Sequence, residues 1–468
     1  MSRRTKIVTT IGPASSSMEM IERFFDLGVN VFRLNFSHGT HQDHFDVVKK
    51  IRTVEKHKNK IVAILADLQG PKLRVGKFKS SPISLKEGQQ FRLDLDSELG
   101  DQNRVPFPHP EVIESLDVGH RLLLDDGKIR LRVTRVNDQS IETIVEVSGQ
   151  LSNNKGVNIP DTNLKKSALT EKDLKDIEFI KTLDVDYVAQ SFVQSALDVK
   201  ALRALIGNQY KIIAKIEKPQ ALLEIDEIIT ISDGIMVARG DLGVEMDLAH
   251  VPITQKSLVA KARENYKPVI VATQMLESMI QASTPTRAEV SDVANAVFDG
   301  ADAVMLSAES AAGQYPSEAV YIMSQILEAT ESDPIYQTSM MDVKGEPVLP
   351  SQAMAAAAHH LAENMQACAI ICSTLTGATA LRVAHFRGHI PIYAMTPDMK
   401  TARSLSLIWG VSSVMCQGHD RFDQFIDEAF SYILKQNIAC SGDKVIVTGG
   451  SPVGRAGQTN LIQVLEID

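Results

Sequence analysis

The sequence predicts an α/β protein: a (β/α)8 barrel of the TIM type, carrying an inserted all-β lid domain and followed by a C-terminal α/β domain. Three observations predict it. Eight short apolar strand candidates alternate with helical patterns along most of the 468 residues. That series is broken once, between Asp67 and about Pro160, by turn-rich text without helical period. A second strand–helix series begins after about residue 340.

The first candidate, "KIVTTIG" at 6–12, is followed by Ser16-Ser17-Met18-Glu19, a capping-box spacing, then by Ile21, Phe24 and Phe25 at helical intervals and Gly28 as a stop. The pattern recurs through "VNVFRLNF", "KIVAILADLQ", "VDYVAQSF", "KIIAKIE", "DGIMVARGD", "KPVIVATQM" and "ADAVMLSAES", with helices such as "LTEKDLKDIEFIKTL" and "RAEVSDVANAVFDG" between most of them. Eight units over about 250 residues is the size of a closed barrel. In the interruption, "HRLLLDDGKIRLRVTRV" sets Asp126-Gly127 between alternating apolar residues, a hairpin signal. An all-β insert there rises from the end of the third barrel strand, on the functional face of such barrels. "MMDVKGEPVLPSQ" reads as a linker, and further strands are expected at "ACAIICS", "IPIYAMT", "VSSVMC" and "KVIVTGG". The expected units are 1–69 with 160–340 for the barrel, 70–159 for the insert and 341–468 for the last domain.

Composition bounds the partners. Hydrophobic content of 44% and charged content of 23% are ordinary for a globular chain. A net charge of −9 and a pI near 5.8 argue against sequence-independent nucleic-acid binding. No apolar run approaches the roughly 18 residues of a membrane span, and "MSRRTKIVTT" lacks an apolar signal core, so a soluble cytoplasmic protein is expected. The four cysteines, Cys368, Cys372, Cys416 and Cys440, show no CxxC spacing and read as buried reduced thiols rather than metal ligands or a disulfide.

The stretch "KIIAKIEKP" at 211–219 places Lys215 and Glu217 two apart, on one face of a strand that is otherwise apolar. Burying that pair is costly unless its geometry is very good or a ligand completes it. Other strand ends converge on the same chemistry: Arg33, Asn35 and Ser37; Asp67; Asp241; Thr273; Ser307 with Glu309. Each alone reads better as a salt bridge or a helix cap. Together they suit phosphate with a hard metal. Glu217 and Asp241 offer Mg2+ two carboxylates, and Arg33, Arg74 and Lys215 face phosphate oxygens. With no GxxxxGK(S/T) loop in the chain, side chains must build that site.

"VFRLNFSHG", "GPKLRVG", "GVNIP", "IIAKIEK", "MVARGDLGVE", "ATQMLESMI", "PTRAEVSDVANAVFDGADAVMLSAES" and "GQYPSEAV" closely resemble the pyruvate kinase family in order and spacing, through almost the whole chain. The resemblance implies phosphoryl transfer from phosphoenolpyruvate to ADP, giving pyruvate and ATP. It implies Glu217 and Asp241 as ligands of Mg2+ or Mn2+, with a second ion arriving on ADP, and Lys215 as the cation stabilising the transferring phosphoryl and the enolate. Arg33 would hold the phosphate; Gly240, Asp241 and Thr273 the substrate carboxylate; Thr273 with Ser307 would supply or relay the proton. Arg74, His38, Lys155 and Asn35 match positions near the nucleotide. A homotetramer is implied as well.

The chain departs from the family at a K+ pocket formed by residues matching Asn35, Ser37 and Asp67. Leu68 and Lys72 stand where many members have threonine and glutamate. The expectation is that the Lys72 ammonium replaces K+, the alternative being that Lys72 points to solvent from a lid hinge. In the last domain, Ser373, Thr374, Thr376, Gly377 and Thr379 enter a helix start, and "GGSPVGRAGQTN" with Arg455 is placed to close over them. This resembles the family's effector site, for fructose bisphosphate, another sugar phosphate or AMP; a plain helix cap is the alternative. Two rivals for the whole chain are another Mg2+-dependent pyruvate or phosphoenolpyruvate barrel, such as an aldolase or mutase, and a catalytically silent metabolite-binding regulator.

Overall fold

Eight strands whose residues are buried along nearly their whole length close into a parallel barrel in chain order: Lys6–Ile11, Val31–Asn35, Ala63–Asp67, Tyr187–Gln190, Lys211–Ile216, Gly234–Ala238, Val269–Ala272 and Ala303–Leu306. They are called strands one to eight below. The computed structural model describes residues 3–162, 168–340, 349–452 and 457–467. Helices pack outside the ring, and Ile21, Phe24 and Phe25 of helix Met18–Asp26 are buried on its inner face. That helix is capped by Ser17, whose hydroxyl accepts from Met20 N at 3.1 Å, one residue later than the capping-box spacing placed it. Helix Glu171–Ile180 and helix Arg287–Phe298 begin at capping boxes on Thr170 and Thr286.

The barrel interior is filled from below by alternate residues of the strands. Val8, Val31, Leu65, Ala189, Ile213, Met236, Ala272 and Met305 share one buried cluster, as period-two alternation requires. Leu407 of the C-terminal body joins this cluster at 1% exposure, and Tyr187 of strand four donates its hydroxyl to Ser404 O at 2.6 Å. The C-terminal body thus closes the barrel floor.

The insert leaves the top of strand three and has its own core. Six strands form its main sheet, Gln90–Asp94, Arg104–Pro106, Arg121–Leu124, Ile129–Asn137, Ser140–Val147 and Val157–Asn158; Ile83–Leu85 and Gly149–Leu151 pair separately. The hairpin signal at Asp126-Gly127 is a turn with positive φ at Asp125, Asp126 and Gly127, joining strands in which Leu124 faces Ile129.

In the C-terminal body, strands Ala369–Ser373, Ile392–Thr396, Val411–Met415 and Lys444–Gly449 are parallel, and Leu461–Glu466 adds an antiparallel edge that strand patterning did not predict. The linker segment 341–348 lies outside the described residues, as does Arg455. The expectation of four buried thiols needs correction: only Cys372 is fully buried, Cys368 and Cys416 are half-buried, and Cys440 is exposed in the turn before Lys444. Among the described residues no helix is long and apolar enough to cross a membrane.

Candidate active site

Continuing the inward parity upward from the apolar layer gives the site. Two residues beyond Val8, Val31, Leu65, Ala189, Ile213 and Met305 stand Thr10, Arg33, Asp67, Ser191, Lys215 and Ser307. The apolar floor makes these polar groups water-poor, so they must satisfy one another. Asp67 is fully buried; its Oδ2 accepts from Arg33 Nε at 2.6 Å and its Oδ1 lies 3.1 Å from Lys215 Nζ. Arg33 donates from Nη1 to Thr10 Oγ1 at 2.9 Å. Lys215 Nζ is 2.9 Å from Glu217 Oε1 and donates to Ser191 Oγ at 2.7 Å. The neighbours Lys215 and Glu217 do share one wall, and Asp67 and Ser191 complete the ammonium's shell.

The charges are coupled. Burial alone would push the Asp67 carboxyl up, but Lys215 and Arg33 outweigh it and hold it below the usual carboxylate range. Burial alone would lower the Lys215 ammonium, but Asp67 and Glu217 outweigh it and raise it above an ordinary lysine. Glu217 moves the other way: burial raises it, Asp241 adds repulsion, and Lys215 only partly offsets both. Asp241 is not at a strand end. Strand six stops at Ala238, and Asp241 lies in the first turn of the short helix Arg239–Glu245.

Thr273 breaks the parity rule. Ala272 points inward, so an extended strand would turn Thr273 away from the site. Positive φ values of 70° at Thr273 and 56° at Gln274 end the strand sharply. The Thr273 hydroxyl accepts from Gly240 N at 2.7 Å, which joins the ends of strands six and seven. Ser307 Oγ is buried without a hydrogen-bond partner, beside a backbone N–H held by Glu309 Oε2 at 2.7 Å.

The remaining predicted residues lie around this centre. Asn35 accepts from Ser37 N at 3.1 Å and pairs across the sheet with Asp67. His38 is exposed on the following loop. On the insert, Arg74 donates to Asn154 O at 2.9 Å and Lys155 Nζ is 2.6 Å from Asp125 Oδ1. Lys72 is exposed and forms no ion pair among the described residues, while Leu68 is buried at 1% exposure in the barrel's outer core. Sequence reasoning missed four supporting groups. They are Ser191, Thr10, Phe192, whose N–H donates to Glu217 Oε2 at 2.7 Å, and Glu245, which accepts from Asn158 Nδ2 at 2.9 Å and ties insert to barrel. The parity argument would have found the first two, Thr10 within strand one and Ser191 one step past strand four.

A divalent ion suits this donor set. Glu217 and Asp241 repel each other, and Glu217, with one oxygen on Lys215 and the other on a backbone N–H, still has free lone pairs. Among the described residues no cluster of three or more His, Cys, Asp or Glu forms a protein-only metal cage, so other ligands would come from substrate and water.

The pyruvate kinase barrel-domain family model matches residues 2–320, and the family's alpha/beta-domain model matches 352–465. The chain belongs to the pyruvate kinase family. It is similar to the pyruvate kinase of Methylorubrum extorquens, 48% identical over 99% of this chain and 97% of that one. It is also similar to that of Agrobacterium vitis, 46% identical over 99% and 98%. A crystal structure of a pyruvate kinase from Cryptosporidium parvum superposes with a TM-score of 0.92 at 33% identity, covering 100% of this chain and 96% of that one. As a pyruvate kinase, the chain is a phosphotransferase whose family implies phosphoenolpyruvate and ADP as substrates and pyruvate as product, and whose members use Mg2+.

Proposed function

We propose that the Arg33–Asp67–Lys215–Glu217 cluster carries the transfer, with Asp67 fixing two cations at the position of the moving phosphoryl group. The carrying observation is the Lys215 ammonium, buried at 8% exposure and held within 3.1 Å by two carboxylates and one hydroxyl. A fixed cation in a water-poor site stabilises charge on the phosphoryl and the enolate without reorganising. Arg33 holds the phosphate, and Gly240 and Asp241 N–H with Thr273 hold the substrate carboxylate. Thr273 and Ser307, the latter with a free hydroxyl, move the proton to the enolate carbon. Glu217 and Asp241 are the proposed ligands of Mg2+ or Mn2+, which when bound neutralises charge between donor and acceptor. A second ion is proposed to enter with ADP.

The insert, residues 70–159, is the proposed lid on a barrel formed by 1–69 and 160–340. It brings Arg74 and Lys155 to the nucleotide phosphates, near Asn35 and His38, and excludes water that would hydrolyse the donor. The enzyme is proposed to need no K+. Leu68 offers no hydroxyl to a monovalent ion, and Lys72, exposed on the hinge, would supply its charge over Asn35, Ser37 and Asp67 when the lid closes. Residues 341–468 form the proposed effector and assembly domain of a cytoplasmic homotetramer. A cavity of about 350 Å3 lined by Ser373, Thr374, Thr376 and Thr379 supports a phosphorylated effector there, such as fructose bisphosphate, another sugar phosphate or AMP. Gly377 lines a different cleft instead.

A coupled assay for ATP formation from phosphoenolpyruvate, ADP and Mg2+ tests the reaction. Turnover that disappears in Lys215→Met is expected, and no turnover by the wild-type chain refutes it. Thermal shift against a panel of sugar phosphates and AMP tests the effector; no shift with any leaves only a helix cap.

A further inference from the structure

Strand four ends at Gln190, and the chain turns at Ser191 and Phe192 on its way to helix Ala196–Ile206. This corner holds both Lys215 and Glu217: Ser191 Oγ accepts from Lys215 Nζ at 2.7 Å, and Phe192 N–H donates to Glu217 Oε2 at 2.7 Å. Phe192 is strained in doing so. Its φ of 54° lies in the left-handed region that a bulky residue rarely occupies, and such strain persists only where the surroundings over-determine it. Those surroundings are the segment that leaves strand three for the insert. Ser191 Oγ donates to Leu68 O at 2.7 Å, and Gly70 packs so closely that a Cβ on it would fall 2.9 Å from both Ser191 Cβ and Phe192 Cδ2. Gly70, itself at φ 68°, is fixed from its other side by the fully buried Asp173, whose Oδ1 accepts from Gly70 N at 3.1 Å. The Phe192 ring is buried and lines a niche with Lys72, Asp126 and Asn158 of the insert and with Asp241 of the barrel.

A side-chain donor swings with its rotamer, whereas a backbone N–H points where the backbone dihedrals send it. The peptide plane between Ser191 and Phe192 therefore sets the place of Glu217 Oε2, while Lys215 Nζ sets Oε1 at 2.9 Å. We infer that Phe192 is a positioning residue: its ring, wedged against Gly70, locks the strained corner whose N–H orients the Glu217 carboxylate for a divalent cation shared with Asp241. The inference rests on the proposed role of Glu217 as a metal ligand and adds the contact that keeps that ligand aimed. Groups that orient a ligand without binding the metal change its affinity by about 10–100-fold when removed. Glycine at 70 is then required twice, by its φ and by the space that the Phe192 ring takes.

The test is titration of the full chain with Mn2+ in the absence of substrate, read from the paramagnetic signal of the free ion, with urea unfolding alongside. Phe192→Gly removes the ring yet adopts φ 54° without strain, so the corner is no longer locked. Its Mn2+ affinity is expected to fall about tenfold or more, whereas Phe192→Tyr keeps the ring and stays within about threefold of wild type. In turnover the same change should appear as a raised KM for Mg2+, with kcat largely recovered at saturating Mg2+. Gly70→Ala presses on the corner from the other side and should weaken Mn2+ as well. Combined with Phe192→Gly, which vacates the space, it should cost no more than Phe192→Gly alone. Where Phe192→Gly does not fold, Phe192→Leu thins the wedge and keeps an apolar side chain, and the same loss is expected. Wild-type Mn2+ affinity in the folded Phe192 variant, beside a Glu217→Gln variant that has lost it, overturns the positioning role and leaves Glu217 as a ligand. Affinity unchanged in Glu217→Gln overturns both.

Discussion

Asp67 Oδ1 lies 3.1 Å from Lys215 Nζ across the intervening fourth strand, while Oδ2 accepts from Arg33 Nε at 2.6 Å. One buried carboxylate thereby spaces the two cations proposed to carry the transfer. Asp67→Asn keeps the shape and removes the charge, leaving two cations under-compensated. The expected loss is at least about 100-fold in kcat, or about 2.7 kcal/mol, and about 3 kcal/mol of stability. The folded pKa of Asp67 is depressed, so its contribution is present above the unfolded carboxyl value and is lost as pH falls through the folded one. Steady-state kinetics and urea unfolding at pH 7 check both; a variant with near wild-type kcat would show that the cations hold their places unaided.

Thr273 combines a hydroxyl proposed for proton transfer with a backbone that disfavours its own side chain. A β-branched residue at φ 70° is strained, and the hydroxyl linking it to Gly240 N is what the site gains. Thr273→Val is expected to reduce kcat by about 100-fold or more, the usual scale of a lost proton-transfer group. Thr273→Ser should stay within about threefold, since it keeps the hydroxyl and relieves β-branching. Equal rates for valine and serine would remove the hydroxyl from the chemistry.

The exposed Lys72 and the buried Leu68 set up a cation test. In tetramethylammonium buffer, added KCl should change wild-type turnover by less than about twofold. Lys72→Glu replaces the hinge ammonium by a carboxylate, and activity is expected to fall and then recover with KCl. Coulomb attraction between a carboxylate and a monovalent cation in a closed site supplies the driving force. Strong K+ activation of the wild-type chain would refute the substitution of ammonium for ion.

The ring of strands and the inward position of Lys215 were legible because strand parity is a local property: once Ile213 points inward, Lys215 and Glu217 must follow. The hairpin at Asp126-Gly127 was legible for the same reason, since its turn chemistry sits in adjacent residues. Asp241 and Thr273 were read onto strands because "ARGD" and "ATQ" continue apolar runs. The helix at Arg239 and the positive φ at Thr273 arise from contacts between two strand ends, which no single segment encodes. Ser191 gave no charge to draw notice, although it holds Lys215 directly. The edge strand Leu461–Glu466, just past the loop "GQTN", was given no reading, and its pairing with Lys444–Gly449 reveals it.

The interface between barrel and C-terminal body should respond to acid through His385. Its ring packs against Tyr266, tilted by 31° with centroids 4.3 Å apart, and burial, with Arg263 and Arg387 adding, lowers it to about 4. His359 is lowered to about 4 as well, by burial first and then by His360 and His389. A depressed histidine binds its proton more readily in the unfolded chain. Between about pH 6.5 and 4 the unfolded state therefore holds more protons, and stability falls as pH drops through that window. A neutral ring packed against Tyr266 is retained in His385→Phe, which no longer titrates. After discounting for partial exposure, that variant should lose about 1–2 kcal/mol less than the wild-type chain between pH 7 and 4.5. Denaturant unfolding at the two pH values measures the difference, and parallel losses in both proteins would place the acid sensitivity elsewhere.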